Sequence, residues 1–111
     1  MSVNENIRLI NETLAADKVS GAVGLPQKAS IYVAYLKLSN NAGATVAGDL
    51  EHSLDGENWF ILHSFTGLSS DDVEISDLTG VIYSQIRANL TVSGGSGDVD
   101  CRICFDPGRG K

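Results

Sequence analysis

Short stretches in which apolar and polar residues alternate, broken every few positions by Gly, Asn, Asp or Ser, run through the whole chain. The clearest spans residues 30–38, where Ile31, Val33 and Tyr35 alternate with Tyr32, Ala34, Leu36 and Leu38. Both faces are apolar, which predicts a central strand covered on both sides. Asn40-Asn41-Ala42-Gly43 tolerates positive φ and predicts a turn, after which the alternation resumes at Val46, Leu50, His52 and Leu54. Asp55-Gly56 then leads into Trp59, Ile61, His63 and Phe65, the strongest hairpin signal in the chain. With Asp55 and Gly56 at the centre of a type I′ turn, Leu54 pairs with Glu57, His52 with Trp59 and Leu50 with Ile61. A longer loop through Asn58 shifts that register by one residue.

Beyond the polar loop Ser69-Ser70-Asp71-Asp72, the pattern predicts a short strand over 73–75, a turn at Thr79-Gly80 and a long strand over 81–92. Gly94-Gly95-Ser96-Gly97 predicts a hairpin loop. The last strand, over 98–105, points Val99, Cys101, Ile103 and Phe105 to one face and Asp98, Asp100, Arg102 and Cys104 to the other. Near the start, Ile7, Ile10 and Leu14 could form a helical stripe, whereas Ile7 and Leu9 could begin a strand. Gly21, Gly24 and Pro26 interrupt a helix, so strand and loop are preferred. About seven or eight strands result, which predicts an all-β fold: a single antiparallel β-sandwich of jelly-roll type. Residues 1–27 read as an N-terminal arm or edge segment, 28–106 as the sandwich core and 107–111 as a C-terminal tail.

A chain of 111 residues with 42% hydrophobic and 20% charged residues has material for one core and one domain. No apolar run is long enough to span a bilayer, and the opening residues carry neither a basic nor an apolar signal region, so neither a membrane span nor a secretion signal is expected. Eight Lys and Arg stand against fourteen Asp and Glu, a net charge of −6. Phosphate backbones are repelled by such a surface, and an electrostatic partner should offer a basic patch.

Few residues suggest chemistry. Cys101 and Cys104 form a C-x-x-C inside a strand, where positions i and i+3 face opposite ways, so a disulfide or shared metal is not expected and the thiols suit a reducing cytoplasm. His52 and His63 fall on one face in the hairpin register above but roughly 13 Å apart along the strand, too far for a common metal. Asp71, Asp72, Glu74 and Asp77 lack the glycine and ligand spacing of a calcium loop and read as solvated, as do Asp98 and Asp100. Ser53-Leu54-Asp55-Gly56-Glu57-Asn58-Trp59 is similar to the Asp-box hairpin of sialidases, with one residue fewer between Asp and Gly, and to a hairpin of discoidin-type carbohydrate-binding sandwiches. It reads as a structural turn. Gly94–Gly97 is no phosphate loop, since no Lys-Ser or Lys-Thr follows. The sequons at Asn11 and Asn89 have no meaning without secretion. No Ser-His-Asp set has positional support, so no enzyme, metal or cofactor is expected.

Taken together, Glu12-Thr13-Leu14-Ala15-Ala16, the Ser-Gly-Ala step at Ser20, the S-L-D-G-E-N-W hairpin, Ile75-Ser76-Asp77-Leu78-Thr79-Gly80 and Ser84-Gln85-Ile86-Arg87-Ala88-Asn89-Leu90 resemble small bacteriophage virion proteins. The chain looks most like a capsid decoration protein of the kind that staples the shell of short-tailed Salmonella phages from outside. That resemblance implies a non-catalytic virion protein on the capsid outer surface, made in the host cytoplasm. Its partner would be the major capsid protein and also itself across a symmetry axis, with no nucleic acid and no membrane involved. It carries over no binding residue; the apolar Ile7, Leu9, Ile10, Leu14 and Val23 of the N-terminal segment are the candidates for burial on a neighbour. The alternatives are a carbohydrate-binding or host-attachment module using Tyr32, Tyr35, Trp59, Phe60 and Tyr83, or a head-completion or tail protein.

Overall fold

Residues 5–25, 31–78 and 82–106 are described by the computed structural model. They form β1 (Glu5–Leu14), β2 (Lys18–Val19), β3 (Val23–Gly24), β4 (Ile31–Ala42), β5 (Thr45–Ser53), β6 (Phe60–Leu68), β7 (Asp72–Leu78), β8 (Gln85–Ser93) and β9 (Ser96–Asp106). The expected turn at Thr79-Gly80, together with Pro26, Val81 and the tail at 107–111, lies outside the described residues.

One sheet has the order β1-β9-β4-β7; the other is β2-β8-β5-β6, with β3 also on β8. All strand pairs are antiparallel. The pairing is nested: β1 with β9, β2 and β3 with β8, β4 with β7, β5 with β6. A long hairpin rolled over on itself in this way is a jelly roll, so the sandwich expected from the sequence is the fold observed. The N-terminal stripe is a strand, as preferred, and a bulge between Arg8 and Ile10 takes up the extra residue.

Strict alternation explains the core. Ala34, Leu36 and Leu38 of β4 and Val99, Cys101, Ile103 and Phe105 of β9 point inward, meeting Val46 and Leu50 of β5 and Ile86, Ala88, Leu90 and Val92 of β8; all are buried. The opposite faces of both sheets look to solvent. Among the described residues β4 is thus central within its sheet but covered by the second sheet on one side only, where a strand covered on both sides was expected. Its outward Val33 and Tyr35 are half-buried.

Two further differences have local causes. β4 runs on through Asn40, Asn41 and Ala42, where a turn was expected. The chain reverses only at Gly43, and Asn40 takes a φ of 48° at an irregularity in the β4–β9 ladder. Asn41 then ties this corner together: its side chain donates to the Ala44 and Ser69 carbonyls and accepts from the Ala44 N–H, while its own N–H donates to Asp71 Oδ1. The β8–β9 turn packs so closely on this corner that a Cβ at Gly95 would lie 2.1 Å from the Ala42 carbonyl oxygen.

The β5–β6 hairpin is present with a longer loop than two residues. His52 pairs with Phe60, Glu51 with Ile61 and Leu50 with His63, with register shifts along the ladder. The cause is Asp55, whose Oδ1 accepts from the Glu57 and Asn58 N–H groups at 2.8 Å while Oδ2 accepts from Asn58 Nδ2. Ser53 Oγ accepts from the N–H groups of Asp55 and Gly56. Side chains of this kind make a wider turn out of residues that would otherwise close tightly.

Candidate interaction surface

The two outward sheet faces carry similar constellations. On the β5–β8 face, Glu51 stands opposite Arg87, and Arg87 Nε donates to Glu51 Oε1 at 2.7 Å. The guanidinium lies 4.3 Å from the centre of the Trp59 ring, and Asn89 Nδ2 donates to the second Glu51 oxygen at 3.4 Å. Ile61, opposite Glu51, is 61% exposed, and Val19, opposite Asn89, is 49% exposed.

On the β4–β9 face, Arg102 is paired with Asp100 and sits 4.8 Å from the centre of the Tyr35 ring. Asp100 raises the Arg102 pKa further. Ile75 stands opposite Tyr35 and is 61% exposed. Each face therefore presents an acid, an arginine over an aromatic ring, and an exposed isoleucine. Aromatic rings and arginine dominate protein contact surfaces because they bury much area at little conformational cost.

Beside the Arg102 constellation lies an open polar trough of about 410 Å³, lined by Asn11, Thr13, Lys37, Ser39, Asp98 and Asp100 among others. Asp98 accepts from Thr13 Oγ1 and Asn40 Nδ2, and these donors hold its carboxyl below the usual range. The rings considered for sugar stacking do not share a face. Tyr32 tilts against Phe105, Tyr35 and Trp59 lie under arginines on opposite faces, and Tyr83 stacks on His52 at one end of the sandwich with Phe60 edge-on.

Of the N-terminal candidates, Ile10 and Leu14 are 3% and 5% exposed and belong to this chain's own core. Ile7 and Leu9 pack partly against it, and Val23 is half-buried opposite Ile86. The expectation of an arm burying these side chains on a neighbour is revised for Ile10 and Leu14, which alternation along β1 turns into this chain's core; among the described residues the margin of β1 away from β9 pairs with no other strand.

Most of the remaining candidates have structural partners, although His63 Nε2 is buried with no hydrogen-bond partner among the described residues. Cys101 is buried and Cys104 half-buried on the opposite face of β9, so the sulfurs diverge. Burial pushes the Cys101 thiol up to about 12. His52 Nδ1 accepts from the Tyr83 N–H at 3.1 Å, and burial lowers its pKa. His63 lies edge-on to Phe65. Among the described residues no three His, Cys, Asp or Glu side chains converge as a metal site. Glu74, read as solvated, reaches from β7 across to β6 and accepts from the N–H groups of Thr66 and Gly67 and from Thr66 Oγ1, closing the seam between the sheets. The arginines on the rings were not anticipated either; the cross-strand pairing of Glu51 with Arg87 and the Asp100-x-Arg102 spacing were the available signals.

No protein-family description matches the sequence, and no curated protein does. Among solved structures the fold is similar to that of an IBDV viral particle, at TM-score 0.57 and 10% identity over 95% of this chain. It is likewise similar to a structure of the infectious bursal disease virus Gx strain, at TM-score 0.56 and 10% identity over 100% of this chain. The chain spans about a third of the length of these structures, 31% and 34%. The likeness is one of fold.

Proposed function

We propose that this chain is a non-catalytic structural virion protein that binds the outside of a phage capsid and staples neighbouring major capsid subunits. The observation that carries the reading is the pair of opposed outer faces, each with an arginine on an aromatic ring beside an exposed isoleucine. A rigid body with contact chemistry on both sides can touch two neighbours at once, and the second contact then benefits from a high effective concentration. The sequence resemblance to decoration proteins and the fold shared with viral capsid structures support the same reading. The dispersal of the aromatic rings speaks against a sugar platform.

The test mixes the purified protein with capsids of the virus that encodes it. Co-sedimentation at a fixed copy number and a raised capsid melting temperature are expected, because a ligand that prefers the assembled lattice shifts the equilibrium toward it. Ile61→Glu and Ile75→Glu, on opposite faces, should each weaken stapling while leaving the fold intact. Tight binding to an oligosaccharide with no affinity for capsids would replace this reading with the attachment-module one.

A further inference from the structure

The margins of the two sheets are not treated alike. β2 and β3 are two residues each, too short to template another strand. β6 joins β5 through register shifts, and two of its amides are capped by Glu74. β7 carries Asp72 and Asp77. Short strands, irregular ladders and charged side chains are the usual means of keeping a sheet edge from pairing with another chain.

β1 is different. It is ten residues long, forms the end of its sheet, and its ladder with β9 is unbroken from Ile10 to Leu14. β1 contains one base, Arg8, and two acids, Glu5 and Glu12, so this margin carries a single net negative charge on a chain whose net charge is −6. Like charge keeps copies of such a chain apart wherever acids meet acids; β1 is the long margin on which they need not meet.

We infer that β1 pairs antiparallel with β1 of a second copy, joining two four-stranded sheets into one continuous sheet. A two-fold axis through Asn11 sets Asn11 opposite Asn11 of the second copy and Ile10 opposite Glu12. Past the bulge, which takes up Leu9, Arg8 falls opposite Thr13. Each pair then keeps both members on one sheet face, and no carboxylate opposes another. A single strand pair buries less than the ~1,600 Å² of a stable interface, so the association is concentration-dependent: weak in dilute solution and favoured where copies are crowded. It is independent of what else the protein binds.

Sedimentation velocity on the full chain from about 1 μM to about 500 μM tests this. A monomer–dimer equilibrium is expected, with exchange protection of β1 amides rising with concentration. Asn11→Glu, at an exposed position, sets glutamates against each other across the axis and should weaken dimerisation about fivefold or more. Ser70→Glu adds the same charge on the β6–β7 loop and should change it less than about twofold. A monomer throughout the range, or equal effects of the two variants, would overturn the inference whether or not capsids are bound.

Discussion

Gly48 sits in β5 with a φ of 131°, opposite Leu90 of β8 and at a register shift between β5 and β6. A Cβ added there would lie 2.3 Å from the Asn89 carbonyl oxygen and 2.7 Å from Leu90 Cα. Both are backbone atoms of a paired strand and cannot swing aside as a side chain could. For Gly48→Ala two costs add. The conformation itself, which L-residues avoid, costs about 1–3 kcal/mol, and displacing a paired strand against a close-packed interior costs about 1–3 kcal/mol more. The sum, about 2–6 kcal/mol, is a large part of the ~5–15 kcal/mol that stabilises an ordinary domain. Urea unfolding followed by fluorescence of Trp59, the chain's one tryptophan, should show the midpoint falling with an unchanged slope. A loss below about 1 kcal/mol, ordinary for any substitution, would refute the claim that this backbone approach demands glycine.

The seam and the buried groups give further tests. Burial pushes the Glu74 carboxyl up, but the Thr66 and Gly67 donors and nearby His63 outweigh it and hold its pKa below the usual range. Its contribution is therefore complete above the unfolded value of about 4.3 and is lost as pH falls through the lower folded value; in urea titrations at several pH values Glu74→Gln should flatten that part of the profile. For His52 the folded pKa is also lowered, by burial, so the unfolded chain takes up its proton first, and stability should decline as pH falls below about 6.5, a decline that His52→Gln should reduce. A thiol reagent at mild alkaline pH should modify half-buried Cys104 well before Cys101, whose pKa burial raises to about 12; Cys101→Ser should cost about 1–3 kcal/mol and Cys104→Ser less than about 0.5 kcal/mol by urea titration. Asp55→Ala should leave the sandwich folded but open residues 54–59 to proteolysis, since Asp55 accepts from the Glu57 and Asn58 amides.

The sandwich was legible because alternation is strong where one sheet face is buried: β9 could be read residue by residue, and β8 nearly so. What escaped were the places where a side chain replaces a backbone partner. Asp55 and Ser53 widen a hairpin whose Asp-Gly pair suggests the tightest turn, and the signal was the second acceptor, Ser53, two residues ahead. Asn41 holds a corner beyond the point where its neighbours suggest the strand should end. Glu74 looked like one more solvated carboxylate because its partners are amides of another strand, and no spacing in the sequence announces a contact across a seam. The outer faces were misjudged for a related reason. Tyr35 makes β4 read as buried on both sides, whereas an arginine on its ring covers it.

The nesting of the strands has a consequence for when this protein becomes competent. Among the described residues of one copy, β1 finds its ladder partner in β9, with Glu5 opposite Phe105, so the first of these nine strands to be made waits for the ninth. β9 also fills the place between β1 and β4, and without it half of the sandwich has no centre. Pairings so distant in sequence close slowly, and an incomplete chain exposes unpaired margins that invite aggregation. The sandwich thus acquires its faces and its β1 margin together, once β9 has been made. It joins whatever it binds as an already folded sandwich, and the loss of β9 should remove both outer faces and the β1 margin at once.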